Sequence, residues 1–302
     1  MTPPPPLRQR PLGGTGLSVS ELGFGCGPTA ALMVDGPPEL QRAVVARALE
    51  LGINYFDTAP TYGSGASEVN LGRCLRELGA TPTVATKVAI TAADLDCGDG
   101  LAAVVERSVE TSLERLGLAS VPIVQLHNRV GRERAPKAPF GTGALLAAGD
   151  VLGPAGVVEG FRRLRDRGLA RWFGCSAFGG DLPEVERLVD SGAFDVVTVH
   201  YSLANSTAWP SPPVSPQPGA GASQGGEAPP EPDYRGIGAR AAAAGMGTVG
   251  LRVLEGGALA GGAAAAIRFA LANPDVSVVL VGFSDIGQVE VAAEAARAAA
   301  HP

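Results

Sequence analysis

Lysine is nearly missing from this chain. Of 24 basic residues only Lys87 and Lys137 are lysines, and the rest are arginine. A lysine in so arginine-rich a chain is a place to look for chemistry that needs a compact point charge. Cysteine is also scarce. Cys26, Cys74, Cys97 and Cys175 are scattered, with no CxxC pair and no nearby histidine cluster. That spacing argues against a disulfide framework and against a structural zinc site. The first residues, "MTPPPPLRQRPLGG", lack the apolar centre of a signal peptide. No apolar run reaches membrane-spanning length, so the chain reads as soluble and cytoplasmic, with no membrane partner. Excess positive charge is absent too: the formal net charge is −6, which offers no footprint for nucleic acid or an anionic membrane. Finally, no GxGxxG opens the first helical stretch, which argues against an open, doubly wound dinucleotide-binding sheet.

What is present is a regular alternation. The 302 residues are 45% hydrophobic, enough for one large core. Short β-rich runs at 20–26, 54–59, 83–88, 122–128, 171–177, 194–202, 247–254 and 276–283 alternate with helical periodicity at 39–52, 66–79, 101–118, 154–170, 182–192, 233–245, 263–273 and 287–300. Eight such pairs in a chain of this length predict a closed (β/α)8 TIM barrel occupying residues 1–302 as a single domain. Three segments depart from compact loops. Residues 131–150 look irregular. Residues 206–232 are rich in Pro, Gly and Ser and read as a disordered loop. Only "EGGALAGG" (255–262) separates the seventh run from its helix.

In such a barrel chemistry sits at the C-terminal ends of the strands. The second run ends at Asp57, the third at Lys87 and the fourth at His127, and Tyr62 follows in the loop "TAPTYG". Alternation along a strand puts Asp57 on a face with Tyr55, Lys87 with Ala85, and His127 with Gln125, which directs all three polar groups inward. Each alone has an ordinary reading: a turn cap, a snorkelling strand-end lysine, a hydrogen-bonded core histidine, a loop aromatic. Together they make a proton-transfer site. A tyrosine is a poor acid near neutral pH, a neighbouring ammonium is expected to lower its pKa, and a carboxylate keeps that ammonium charged and oriented. A neutral histidine can then orient a carbonyl oxygen.

The segments "LGGTGLSVSELGFG", "GINYFDTAPTYGSGASEVNLGRCLRE", "VATKV", "VQLHN", "RWFGCSAF" and "AAAAIRFALANPDVSVVLVGFSDIGQVEVA" occur in an order that resembles the aldo-keto reductase superfamily. The fuller resemblance is to the bacterial branch that includes sugar (aldose) dehydrogenases. It implies an N-terminal β-hairpin before the barrel. It also implies an NAD(P)-dependent oxidoreductase acting on a small carbonyl or sugar substrate, with Tyr62 as proton donor, Lys87 and Asp57 as its tuners and His127 orienting the substrate. The candidate cofactor residues are Gly25, Asp57, Ser176, Tyr201, Arg252, Gly282, Ser284 and Gln288: Arg252 would bring charge to the phosphates, and Tyr201 is either an aromatic stacked on the nicotinamide or a strand-end core aromatic.

The sequence departs from the family in three places. Ser176 is followed by Ala177 where the family has Ser-Asn, Thr198 stands where its sixth strand carries glutamine, and 255–262 is short for a loop over the pyrophosphate. No Lys or Arg lies between Val281 and Val291 to pair a 2′-phosphate, and Asp285 would repel one. The cofactor is therefore NAD or NADP, with the balance toward NAD. The alternative is a catalytically impaired cofactor-binding or regulatory barrel. A metal-dependent lyase or isomerase ranks last, since no carboxylate/histidine cluster stands at the strand ends, and no metal site is expected.

Overall fold

A computed structural model describes residues 5–96, 98–138, 141–209 and 233–299. It opens with an antiparallel hairpin, β1 (Gln9–Pro11) against β2 (Ser18–Ser20), in the register Gln9↔Ser20. Eight parallel strands then close on themselves: β3 (Leu22–Gly25), β4 (Tyr55–Asp57), β5 (Thr83–Val88), β6 (Val121–Leu126), β9 (Ala170–Ser176), β10 (Val196–His200), β11 (Gly247–Leu251) and β12 (Val278–Gly282). Each is followed by a helix: Pro38–Glu50, Ala66–Leu78, Gly100–Leu116, Val157–Asp166, Leu182–Asp190, Ile237–Ala243, Ala263–Leu271 and Ile286–Arg297. This is the (β/α)8 barrel with the N-terminal hairpin.

The short, Val-rich runs form strands because both faces are buried, and a strand covered on both sides reads as a continuous apolar run rather than an alternating one. Outward side chains such as Phe56, Val84, Leu126 and Val199 join the large core between sheet and helices. Inward ones, including Tyr55, Ala85, Ile123 and Val249, form a second, smaller cluster inside the barrel. The hairpin closes the lower end, with Leu12 and Val19 fully buried in that inner cluster. The helices start and stop where local chemistry dictates. Gly79 and Gly117 take left-handed conformations that end two of them.

The segment 131–150 is more regular than its composition suggests. Two short strands, β7 (Val130–Gly131) and β8 (Leu146–Ala147), pair in parallel, and a helix follows at Ala148–Leu152. Most of 206–232 lies outside the described residues, from 210 onward, as does Cys97. Residues 206–209 are described, and they are packed: Ala208 and Trp209 are buried, and the Trp209 ring lies 4.7 Å from that of Tyr201. Cys26, Cys74 and Cys175 are free and buried.

Candidate active site

The upper end of β4, β5 and β6 carries the polar group that alternation anticipated. In register, Asp57 pairs with Ala85 and Lys87 with Gln125, so inward positions advance up the barrel wall from strand to strand. Lys87 Nζ forms a buried salt bridge with Asp57 Oδ1, donates to the Thr58 carbonyl at 2.9 Å and reaches the Tyr62 hydroxyl at 3.2 Å. The same ammonium lies 4.8 Å from the centre of the Tyr62 ring. The His127 ring stands edge-on to Tyr62 at 5.7 Å, and its Nδ1 is 3.4 Å from Thr61 Oγ1. His127 is placed by the continuation of β6: its N–H donates to the Val88 carbonyl at 2.8 Å.

The electrostatics follow from burial and one ion pair. Burial works against the Lys87 ammonium, but Asp57 and the Tyr62 oxygen more than reverse it, so Lys87 is held above its ordinary value. Burial raises the Asp57 carboxyl, and Lys87 and Gln125 pull it back in part. Tyr62 corrects an expectation. Burial raises its phenol above the usual value, and Lys87 offsets that only partly, so the resting hydroxyl is firmly protonated. The ammonium therefore stabilises the phenolate relative to an equally buried tyrosine without a cation, not relative to one in water. His127 is pushed down to about 3, first by burial and then by the charges of Lys87 and Arg129, so it is neutral at physiological pH. Tyr55, the inward residue below Asp57, is completely buried with a phenol held far above its ordinary range.

A cavity of about 590 Å³ opens beside this group. Asp57 and Tyr62 line it together with Gly25, Arg252, Gly282, Ser284 and Gln288. Its floor is bare backbone from adjacent strands: β3 pairs with β12 at Gly25↔Gly282, and a Cβ on Gly282 would fall 2.9 Å from Ala30 Cβ. Ile267, Val291 and Ala292 give it an apolar wall. At the start of the helix Ile286–Arg297, Asp285 accepts from the Gln288 N–H at 2.9 Å, and the Gln288 side chain accepts from the Ser284 N–H at 2.8 Å. The helix end is thus capped by a carboxylate of its own.

Two expected cofactor residues are not brought to the cavity. Ser176 accepts from the Phe178 N–H in a local turn. Tyr201 faces away from the barrel interior, stacked on Phe269 at 5.3 Å and edge-on to Trp209. The parity of β10 explains it: Val196 joins the inner cluster, Thr198 and His200 share that face, and Tyr201 falls on the other. The inward group at this strand end is His200, fully buried, whose Nε2 meets Glu255 Oε1 at 2.7 Å. Glu255 comes from the short 255–262 segment, which forms two tight turns, and Gly256, Gly257 and Ala260 from it line the cavity. Sequence reasoning missed this contact, because nothing in "EGGALAGG" marks its glutamate as turned toward the barrel. Among the described residues no group of three His, Cys, Asp or Glu is placed to hold a metal ion. No helix among them is long and apolar enough to cross a membrane.

The sequence model of the aldo/keto reductase family matches residues 21–210. L-galactose dehydrogenase of Arabidopsis thaliana is 30% identical over 310 aligned residues, covering 94% of this chain and 86% of that protein. Pyridoxal 4-dehydrogenase of Microbacterium luteolum is 30% identical over 189 residues, 51% of this chain and 54% of that one. Among solved structures, an aldo-keto reductase of Bacillus halodurans in its holo form superposes with a TM-score of 0.71 at 21% identity, covering 98% of this chain and 92% of that one.

Proposed function

The chain belongs to the aldo/keto reductase family, and from that premise we propose that it interconverts a small carbonyl compound or aldose and the corresponding alcohol or lactone, with NAD(P) as hydride carrier. The observation that carries this reading is the contact of Lys87 Nζ with both the Asp57 carboxylate and the Tyr62 hydroxyl at the edge of the cavity.

In the reductive direction the Tyr62 hydroxyl gives its proton to the substrate oxygen as negative charge develops there. Lys87 stabilises the phenolate left behind, and Asp57 keeps Lys87 charged and aimed. His127 is neutral. We take the tautomer in which the Thr61 hydroxyl donates to Nδ1, which leaves the proton on Nε2 to hydrogen-bond and orient the substrate oxygen. In the oxidative direction the same atoms run in reverse: Tyr62 first gives its proton to solvent, and the phenolate, stabilised by Lys87, takes the proton of the substrate hydroxyl.

The glycine-floored cavity fits a dinucleotide. Gly25 and Gly282 line it without side chains, and the apolar wall suits an adenine. Gly25, Arg252, Gly282, Ser284 and Gln288 would hold the cofactor, which when bound supplies or accepts the hydride. The Asp285 carboxylate at the helix start and the absence of Lys or Arg from 282 to 290 favour NAD(H) over NADP(H). A substrate among aldoses is supported by the near full-length likeness to an L-galactose dehydrogenase.

One observation favours the second reading, a barrel that binds cofactor without turnover: neither Ser176 nor Tyr201 lines the cavity. Steady-state assays with NAD+ and NADP+ against a panel of aldoses including L-galactose, and with NADH and NADPH against small aldehydes and pyridoxal, separate the two. Turnover that Tyr62→Phe abolishes supports the enzyme, and cofactor binding without any turnover supports the alternative.

A further inference from the structure

The Asp57 carboxylate has two oxygens, and the ion pair with Lys87 uses one. The other, Oδ2, accepts from Gln125 Nε2 at 3.2 Å. The amide oxygen of Gln125 in turn accepts from Thr198 Oγ1 at 2.5 Å. All three residues are buried, Asp57 and Gln125 at 1% exposure and Thr198 at 3%. The line they form crosses a strand. Gln125 stands on β6 and Thr198 on β10, with β9 between them. At the crossing β9 presents Gly174, which pairs in register with Gln125 on one side and with Val196 on the other. A Cβ on Gly174 would lie 2.7 Å from Gln125 Cγ and 3.2 Å from its Oε1. The missing side chain is a notch in the inner wall through which Gln125 reaches the strand beyond.

We propose that Gln125 and Thr198 are positioning residues that hold the Asp57 carboxylate in the orientation that aims Lys87 at Tyr62. The catalytic part of this inference rests on the proton-donor reading of Tyr62. An amide can present either its oxygen or its nitrogen to a neighbour. The Asp57 carboxylate can only accept, so it takes Nε2, and the Thr198 hydroxyl donates to the amide oxygen on the other side and holds the side chain in that turn. Without the second donor, a buried carboxylate oxygen loses its one partner among the described residues opposite Lys87, and the group is free to turn about its last torsion. The groups facing Asp57 are Lys87 from β5, Tyr62 from the following loop, Tyr55 below it on β4 and Cys26 after β3, and only Lys87 among them is charged near neutral pH. Among the described residues the amide alone supplies a neutral donor on the far oxygen.

The test uses the full chain with 13Cγ-labelled aspartate, the Asp57 resonance being the one lost in Asp57→Asn. Its titration is followed in the wild type, Gln125→Met, Thr198→Val and Thr198→Ser, and kcat and KM are measured for each with the most active carbonyl substrate. The expected result is an Asp57 midpoint shifted upward in Gln125→Met and Thr198→Val and restored in Thr198→Ser. In the two affected variants kcat falls about tenfold, the scale of one lost charge-assisted hydrogen bond, with substrate KM unchanged. If Gln125→Met does not fold, the Val/Ser contrast at position 198 decides alone. An Asp57 titration that is the same in Thr198→Val as in the wild type overturns the relay. The carboxyl signal needs no turnover, so it judges the relay even if Tyr62→Phe retains full activity and the proton-donor reading falls.

Discussion

Replacing Lys87 by methionine removes the ammonium and keeps the unbranched stem. Asp57, at 1% exposure, is then a buried carboxylate with Gln125 as its one donor among the described residues. Breaking a buried pair from one side costs about 3–5 kcal/mol when the remaining group stays charged. The carboxyl escapes this by taking a proton, which burial already favours in the intact site. The folded variant then carries one proton more than its unfolded chain above the ordinary carboxylate pKa, so its stability falls as pH rises, by about 1.4 kcal/mol per unit until the folded group ionises. Urea unfolding of wild type and variant at pH 5 and pH 7 reads this directly. The destabilisation is expected to be about 2–3 kcal/mol larger at pH 7 than at pH 5. An equal loss at both pH values would show that Lys87 supports the fold through packing and not through the Asp57 charge.

Other perturbations test separate parts of the account. His127 is pushed down to about 3, so the kcat profile between pH 5 and 8 should contain no histidine inflection; one near 6.5 would place a charged imidazole in the mechanism. The same depression makes His127 stabilising above its unfolded value. That contribution is lost as pH falls from about 6.5 toward 3, and proton uptake on unfolding at pH 5 should shrink in His127→Gln. NADPH should hold less than about 2 kcal/mol over NADH, a factor of about 30, in fluorescence titrations; Asp285→Ser, which keeps a helix cap, should move the ratio toward NADPH by about fivefold. Trp209, buried against Tyr201 and the face of Gly238, should cost about 3–5 kcal/mol as Trp209→Ala in urea unfolding, and a loss under 1 kcal/mol would mean this start of the 206–232 segment is not anchored.

The barrel was legible because its strands are buried on both faces and its helices keep their periodicity, so eight alternations could be counted. The inward placement of Asp57 and Lys87 was legible for the same reason: within a strand, period two is rigid. Past a strand end the sequence left the choice open. Tyr201 in "VTVHYS" could be a site aromatic or a core aromatic, and the parity of β10, with 196, 198 and 200 inward, puts it in the core. Sequence reasoning failed where the effect depends on depth. A nearby ammonium lowers a tyrosine pKa, but the burial of Tyr62 outweighs it, and burial is not written in a loop of Thr, Pro and Gly. Gln125 was visible only as a neighbour on the face of His127. Its reach to Thr198 depends on Gly174 lying between them in space, and nothing along the chain joins residues 125, 174 and 198.

The central claim is that the Tyr62 hydroxyl moves the proton. Tyr62→Phe removes that single oxygen and leaves the ring beside His127 and the Lys87–Asp57 pair. Single-turnover kinetics of this variant with saturating cofactor, beside a titration of cofactor affinity, measures the claim most directly. The account predicts a fall of about 10²-fold or more in the chemical step with cofactor affinity and folding unchanged. A variant that turns over substrate at the wild-type rate would contradict it.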